Sequence, residues 1–296
     1  MKTIDLHVHS TYSDGSLTPE ELVALALSAG LSAFALTDHD TTDGIDEAVR
    51  AARGSGLEIV PGIEFSTRWL HRDIHVLGYF IDYHAGTFQK ELRGYLNARH
   101  TRNVQMCERI REHTGFPVSM DVLTEAFPDA VITRAHMAAW MVDHGLVETR
   151  KIAFDKYLGA HAACFVPKSE VTPADAIRLI LAHDGIPVLA HPLLYALSRK
   201  QLRLLICELK EAGLMGIEAV YVLNHGSDEA FVRSLAEQYG LLITGGSDFH
   251  GKNKPDIALG TGIRSGLAVP YALLDTLKTA WNLSQTPPFS AHKNPS

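Results

Sequence analysis

The sequence predicts an α/β protein: a parallel barrel or near-barrel interrupted by a block of helices, with a doubly wound sheet as the alternative. Three observations carry that prediction. Short apolar runs recur along the chain, and helical patterns separate most of them, as expected of a parallel sheet buried on both faces. Seven such runs can be counted, which suits a barrel. Between residues 95 and 158 helical periodicity prevails and strand patterns are scarce.

The elements follow in order. Residues 4–9 alternate, with Ile4, Leu6 and Val8 on one face and Asp5, His7 and His9 on the other. A turn comes next at Ser13-Asp14-Gly15. Thr18-Pro19-Glu20-Glu21 supplies an N-cap, a proline at the first helical position and a glutamate at N3, so a helix runs over 19–29 and Gly30 stops it. Strand 33–37, helix 45–55 and strand 57–61 follow, the last leading into Gly62-Ile63-Glu64. Strand 74–80 precedes the insertion, whose candidate helices are 99–113, 120–127, 134–144 and 149–158. After it come helix 173–183 with a second Thr-Pro start, strand 186–190, helix 201–212, strand 217–222, helix 228–239, strand 241–244 and a helix from about 271 to 282. The resulting organisation is a barrel over 1–94 and 159–283, a helical cap over 95–158 and a loose, Pro- and Ser-rich tail over 284–296.

Composition narrows the function. A chain of 296 residues with 46% hydrophobic and 21% charged residues can bury a large core, which excludes a disordered chain. Lys+Arg is 27 against 34 Asp+Glu, a net charge of -7, which disfavours broad duplex binding. A small anionic substrate stays open, because bound cations supply local positive charge. Cys107, Cys164 and Cys207 form no CxxC pair, which excludes zinc ribbons and thioredoxin-like redox sites. The opening MKTIDLHVHS has no signal-peptide pattern, and no apolar stretch is long enough to span a membrane. The expectation is a soluble cytoplasmic protein without membrane association or an obligate protein partner.

The 16 histidines are the informative excess. His7 and His9 end the first strand, Asp38 and His39 the second, Glu64 follows the third, and His75 sits in the fourth. His191 ends strand 186–190, and Asp248 and His250 follow the last strand. In a (β/α) barrel the C-terminal strand ends open onto one face, so residues far apart in sequence converge there. Each residue alone fits a structural role, such as a turn cap or a core histidine; their common position favours a shared metal site. Imidazole and carboxylate donors without thiolate suit Mn²⁺, Fe²⁺ or Zn²⁺, and the number of donors allows two or three ions. The remaining histidines lie on helices or loops without a partner pattern.

These residues fall into motifs. Asp5-Leu6-His7-Val8-His9 through Gly15, Leu36-Thr37-Asp38-His39-Asp40, Pro61-Gly62-Ile63-Glu64, Leu189-Ala190-His191-Pro192 and Gly245-Gly246-Ser247-Asp248-Phe249-His250 resemble, in order, the motifs of the PHP (polymerase and histidinol phosphatase) domain family. The nearest resemblance is to its stand-alone metal-dependent phosphoesterases, in which a helical insertion and a Thr-Arg-x-His segment, here Thr133 to His136, are expected. The resemblance implies a distorted (β/α)7 barrel with a trinuclear site. It places His7, His9, Glu64 and Asp248 on one ion, with Glu64 bridging to a second ion held by His75 and His191. Asp14, His39 and His250 would hold the third. Mn²⁺ is the first expectation, with Fe²⁺ or Zn²⁺ as alternatives.

The expected chemistry is phosphoester hydrolysis by a metal-bound hydroxide. Asp38 is either an acid for the leaving group or an orienting partner for a ligand. Candidate substrate-binding residues are Arg134, whose planar fork suits a phosphate, Lys168 and His225. Arg99 and Arg102 share a helix face that reads mainly as solvated. The resemblance points to a small phosphorylated nucleotide, with a 3',5'-bisphosphate first and a 5'-3' exonuclease on short RNA or DNA oligonucleotides as the alternative.

Overall fold

The computed structural model describes residues 2–167 and 171–285. Eight strands form one sheet: β1 (Thr3–Val8), β2 (Ala33–Leu36), β3 (Glu58–Trp69), β4 (Arg72–Tyr79), β5 (Ile186–Leu189), β6 (Gly216–Tyr221), β7 (Leu242–Gly246) and β8 (Val269–Pro270). Their order is β7-β6-β5-β4-β3-β2-β1-β8. The sheet curls until β7 meets β1. Just past the strand ends the His9 amide donates to the Phe249 carbonyl at 3.0 Å. Closure explains Gly246, where a Cβ would lie 2.4 Å from His7 Cβ. The result is the expected distorted (β/α)7 barrel, nearly closed, with β8 as a short eighth strand antiparallel to β1.

Six helices belong to the alternating β/α part: α1 (Pro19–Ser28), α2 (Ile45–Ala51), α7 (Pro173–Ala182), α8 (Arg199–Glu211), α9 (Asp228–Tyr239) and α10 (Ala272–Gln285). The Thr-Pro starts work as read. Thr18 with Glu21 and Thr172 with Asp175 form reciprocal capping boxes, each with proline in the first turn. Ile4, Leu6, Ala33, Val60, Leu77, Ile186 and Val188 fill one core, and the helices α7, α8 and α9 pack against a second.

Four elements depart from expectation. The third strand does not end at Pro61 but continues to Trp69, with Ile63, Phe65 and Thr67 buried in alternation. The chain then reverses through Leu70-His71, Leu70 at φ 53°, so β4 pairs antiparallel with β3 and with β5. The sheet is therefore not wholly parallel; an apolar run carries no sign of its direction. The helix α3 (Gly86–Thr114) begins well before residue 99: its first turns bury Phe88 and Leu92 against the barrel-side core, ahead of the buried Arg99, Arg102 and Asn103. The last helix includes Ser284 and Gln285, expected in the tail; residues 286–296 lie outside the described residues.

The insertion consists of α3, α4 (Met120–Ala126), α5 (Arg134–Asp143) and α6 (Arg150–Ala153), followed by a π-helical turn, Phe154–Leu158. It has a core of its own, including Met106, Ile110, Leu123, Met137, Trp140, Leu158 and Cys164. No helix among the described residues is long and apolar enough to cross a membrane.

Candidate active site

The strand ends deliver His7, His9, Asp14, His39, Glu64, His75, His191, Asp248 and His250 to one place. Reversal of β4 is what brings His75 there: its position near the start of an antiparallel strand lies at the barrel end where its neighbours finish. Glu64 is the hub. Its Oε2 lies 3.3 Å from both His7 Nε2 and His9 Nε2 and 3.1 Å from His39 Nδ1. Its Oε1 lies 2.9 Å from His75 Nδ1 and 3.0 Å from His191 Nε2. Asp248 Oδ1 lies 3.4 Å from His9 Nε2, and Asp14 Oδ1 lies 3.2 Å from His250 Nε2.

These donors fit divalent ions. Groups of potential ligand atoms within 4.8 Å of one another are His9, Asp14, His39 and His250; His7, His9 and Asp248; His7, Glu64 and His191; and His39, Glu64 and His75. The groups share members, which suits more than one ion. His7 Nε2, His9 Nε2 and Asp14 Oδ1 are buried without a hydrogen-bond partner among the described residues. Such orphaned polar atoms are costly unless something binds them. Burial opposes ionisation of Glu64, yet His75, His7 and His39 hold its carboxyl well below the usual range. Asp14 is held low in the same way by His39 and His250. Burial drives His39 down to about 3, against the opposing pull of Glu64 and Asp14. Asp248 and His191 adopt positive φ, 53° and 21°, strain of the kind that collects at functional sites.

Several supporting residues escaped the sequence reading. Glu218, fully buried on β6, lies 3.1 Å from His7 Nδ1 and accepts the His191 amide at 2.8 Å. It aims His7 Nε2 at the cluster, the usual work of a carboxylate behind a ligating histidine. Its only signal was a lone charge in an apolar strand. Tyr221 Oη at 2.8 Å and Lys254 Nζ at 2.7 Å both donate to Asp248 Oδ2. Asp38, which the sequence singled out as an acid or an orienting partner, accepts from the Ser10 amide at 2.8 Å and from the Ser10 and Ser13 hydroxyls at 2.6 and 2.5 Å. Ser13 Oγ in turn lies 3.4 Å from His9 Nδ1, so Asp38 reaches the cluster through Ser13.

A cleft of about 130 Å³ adjoins the cluster at Asp14, His39 and His75. Ser66, Thr67 and Asp73 of β3 and β4 form another wall, the insertion supplies Arg99, Arg102, Thr133, Arg134 and Phe154, and Phe165 follows just after it. Thr133 Oγ1 donates to Asp14 Oδ2 at 3.1 Å, tying the insertion to the cluster. Arg134 does line the cleft, paired with Asp73 at 2.5 Å. Arg99 and Arg102 correct the sequence reading. They are 5% and 7% exposed, not a solvated face. Arg99 is held by Asp40 and donates to Ser66 Oγ at 2.7 Å. Arg102 Nε has no hydrogen-bond partner among the described residues, and burial beside Arg99 and Arg134 disfavours its charged form. An anion in the cleft relieves that cost. Lys168 lies outside the described residues. His225 is exposed in the turn before α9, its amide donating to Asp228 at 2.9 Å, and is not among the residues lining the cleft.

A nearly closed barrel with a buried His/carboxylate cluster at one mouth defines a class, and the sequence comparison agrees: the PHP domain family model matches residues 5–153, and the chain belongs to that family. It is a metal-dependent phosphoesterase of that family. Among curated relatives, a 5'-3' exoribonuclease of Haemophilus influenzae is 37% identical over 84% of this chain and 90% of its own. A 3',5'-nucleoside bisphosphate phosphatase of Chromobacterium violaceum is 34% identical over 84% and 88%. A solved structure of an amidohydrolase from Chromobacterium violaceum with bound sulfate superposes with TM-score 0.81 at 31% identity, covering 94% of this chain and 96% of the other.

Proposed function

We propose that this chain is a 5'-3' exonuclease acting on short 5'-phosphorylated RNA or DNA, with 3',5'-bisphosphate nucleotides as the smallest substrates of the same kind. The observation that carries this reading is the arginine cleft beside the cluster. It offers one anion-binding pocket next to a second phosphate position at the cluster, which matches a nucleotide bearing both a 5'- and a 3'-phosphate. The relative named as an exoribonuclease is the more similar of the two curated relatives, so the oligonucleotide reading takes precedence over the bisphosphate reading.

One bond unites the two substrates. In both, water adds to the 3'-phosphorus, the O3'–P bond breaks, and a proton ends on the 3'-oxygen. A bisphosphate yields a nucleoside 5'-monophosphate and phosphate. An oligonucleotide yields a nucleoside 5'-monophosphate and a chain that again begins with a 5'-phosphate. Divalent ions held by the cluster residues would polarise the phosphoryl oxygens and lower the pKa of water. The chain itself contributes position. Arg99, Arg102 and Arg134 hold the 5'-phosphate with charged hydrogen bonds. Glu64 fixes the ligating histidines relative to one another, and Asp38 steadies His9 through Ser13. Phe154 and Phe165 give the cleft an apolar wall.

The test is product analysis after incubation with Mn²⁺, using a 5'-phosphorylated pentaribonucleotide, its 5'-hydroxyl counterpart and adenosine 3',5'-bisphosphate. Stepwise release of nucleoside 5'-monophosphates from the first, with the second poor, is expected. Internal fragments or nucleoside 3'-phosphates would contradict the reading. Cleavage of the bisphosphate with the pentamer intact would restrict the enzyme to mononucleotides.

A further inference from the structure

The cluster has two flanks. On one, Asp14, His39 and His75 open into the arginine cleft. On the other stands the loop after β7, where Gly251–Asn253 form a single 3-10 turn and Lys254 follows. Neither Asp248 nor any residue of that loop is among those lining the cleft. The loop is tied down at three points. The Lys252 amide donates to Ser16 Oγ at 2.8 Å, and Asn253 Nδ2 donates to the Asp14 carbonyl at 2.7 Å. The Asn253 carbonyl accepts from Arg150 of the insertion at 3.4 Å.

Lys254 stands at the edge of the cluster. Asp248 turns Oδ1 toward His9 and His250, at 3.4 Å from each, and gives Oδ2 to Lys254 Nζ at 2.7 Å. The Asp248 side chain is 6% exposed and that of Lys254 is 38%. The lysine therefore runs from the buried cluster out into solvent. An ammonium carries three donors, so a single bond to Asp248 leaves two for a ligand. The surrounding charge has the same sign. Lys252 is exposed on the same loop, Arg150 touches it, and Asp256 is the one acidic side chain between residues 249 and 262.

This flank concerns an oligonucleotide and not a bisphosphate. In the function proposed above, the first nucleotide occupies the arginine cleft and the cluster. A strand that continues past the scissile phosphate has to leave by the other flank. We infer that Lys254 binds the next phosphate of the strand, the one on the 3' side of the scissile phosphate. The inference rests on the proposed function and names the contact that a mononucleotide substrate lacks.

The experiment is fluorescence anisotropy with the full chain loaded with Mn²⁺. The probe is a 5'-phosphorylated pentaribonucleotide with a dye at its 3' end. A methylene replaces the 3'-oxygen of its first nucleotide, so the probe binds and is not cut. A second probe is identical except for an uncharged methylphosphonate at the following linkage. The natural chain should bind the charged probe about tenfold more tightly than the neutral one. Lys254→Met should bring that ratio to about one, and Lys254→Arg should restore it. A ratio within each chain cancels any general disturbance of Asp248, which would weaken both probes alike. A ratio near one in the natural chain, no binding of either probe, or an unchanged ratio in Lys254→Met would overturn the inference. A parallel hydrolysis assay keeps the two readings apart: a natural pentamer left uncut, with the tenfold ratio intact, would overturn the exonuclease activity and leave the strand contact standing.

Discussion

The cluster and the arginine cleft meet at His39 and His75, yet the chain builds them from different material. The cluster stands on strand ends whose backbones are fixed by the sheet, and buried neighbours back several of its residues: Glu218 behind His7, Tyr221 beside Asp248, and Asp38 behind His9 through Ser13. The cleft takes its cations from α3 and α5 of the insertion, which has its own core. Its guanidiniums are paired unevenly: Arg99 is locked to Asp40, Arg134 rests on a partly exposed Asp73, and Arg102 Nε has no hydrogen-bond partner among the described residues. The contrast teaches a division of labour. In the function proposed above, chemistry falls to the barrel and recognition of the 5'-phosphate to the arginines of the insertion, with Thr133 joining the two through Asp14.

Substitutions on the two sides should differ in kind. The largest effect is expected at the hub. Glu64→Ala removes the carboxylate that touches His7, His9, His39, His75 and His191, and should lower kcat/KM about 10³-fold, with loss of bound metal by elemental analysis. A variant that retains full metal content and activity would break the comparison. One shell further out, Glu218→Gln should weaken metal affinity by about 10- to 100-fold in a chelator competition, while the circular dichroism spectrum stays that of the natural chain. On the recognition side, Arg134→Met should leave metal content alone and act on acid stability. Against the upward push of burial, Arg134 and His75 hold Asp73 below the ordinary carboxylate range. A depressed folded pKa gives stability that is present above the unfolded value near 3.8 and is lost as pH falls through the lower folded one. Without Arg134 the acid unfolding midpoint should therefore move to higher pH. An unchanged midpoint would show that the pair contributes nothing.

How much of this was legible in the sequence follows the same division. His7, His9, His39, Glu64, His191, Asp248 and His250 could be placed because strand ends are marked by where apolar runs stop, and a barrel gathers those ends. His75 does lie beside Glu64, for an unforeseen reason: its strand runs backwards, and apolar alternation reads alike in both directions. Glu218 was missed because a single carboxylate in the run Ile217 to Val222 has no pattern around it; only its three-dimensional neighbour His7 gives it meaning. Arg99 and Arg102 were misread as solvated because basic residues three apart on a helix normally are. Their burial depends on Asp40 and the insertion, contacts that local sequence does not encode.

The central claim is that the cleft reads a 5'-phosphate for the cluster beside it. Its most direct test is the ratio of kcat/KM for a 5'-phosphorylated over a 5'-hydroxyl pentaribonucleotide, measured in the natural chain and in Arg102→Met. Loss of a charged hydrogen bond is worth about 10- to 100-fold, so the ratio should be large in the natural chain and fall by that factor in the variant, with 5'-hydroxyl cleavage little affected. A ratio near one in the natural chain, or a variant that slows both substrates equally, would contradict the account.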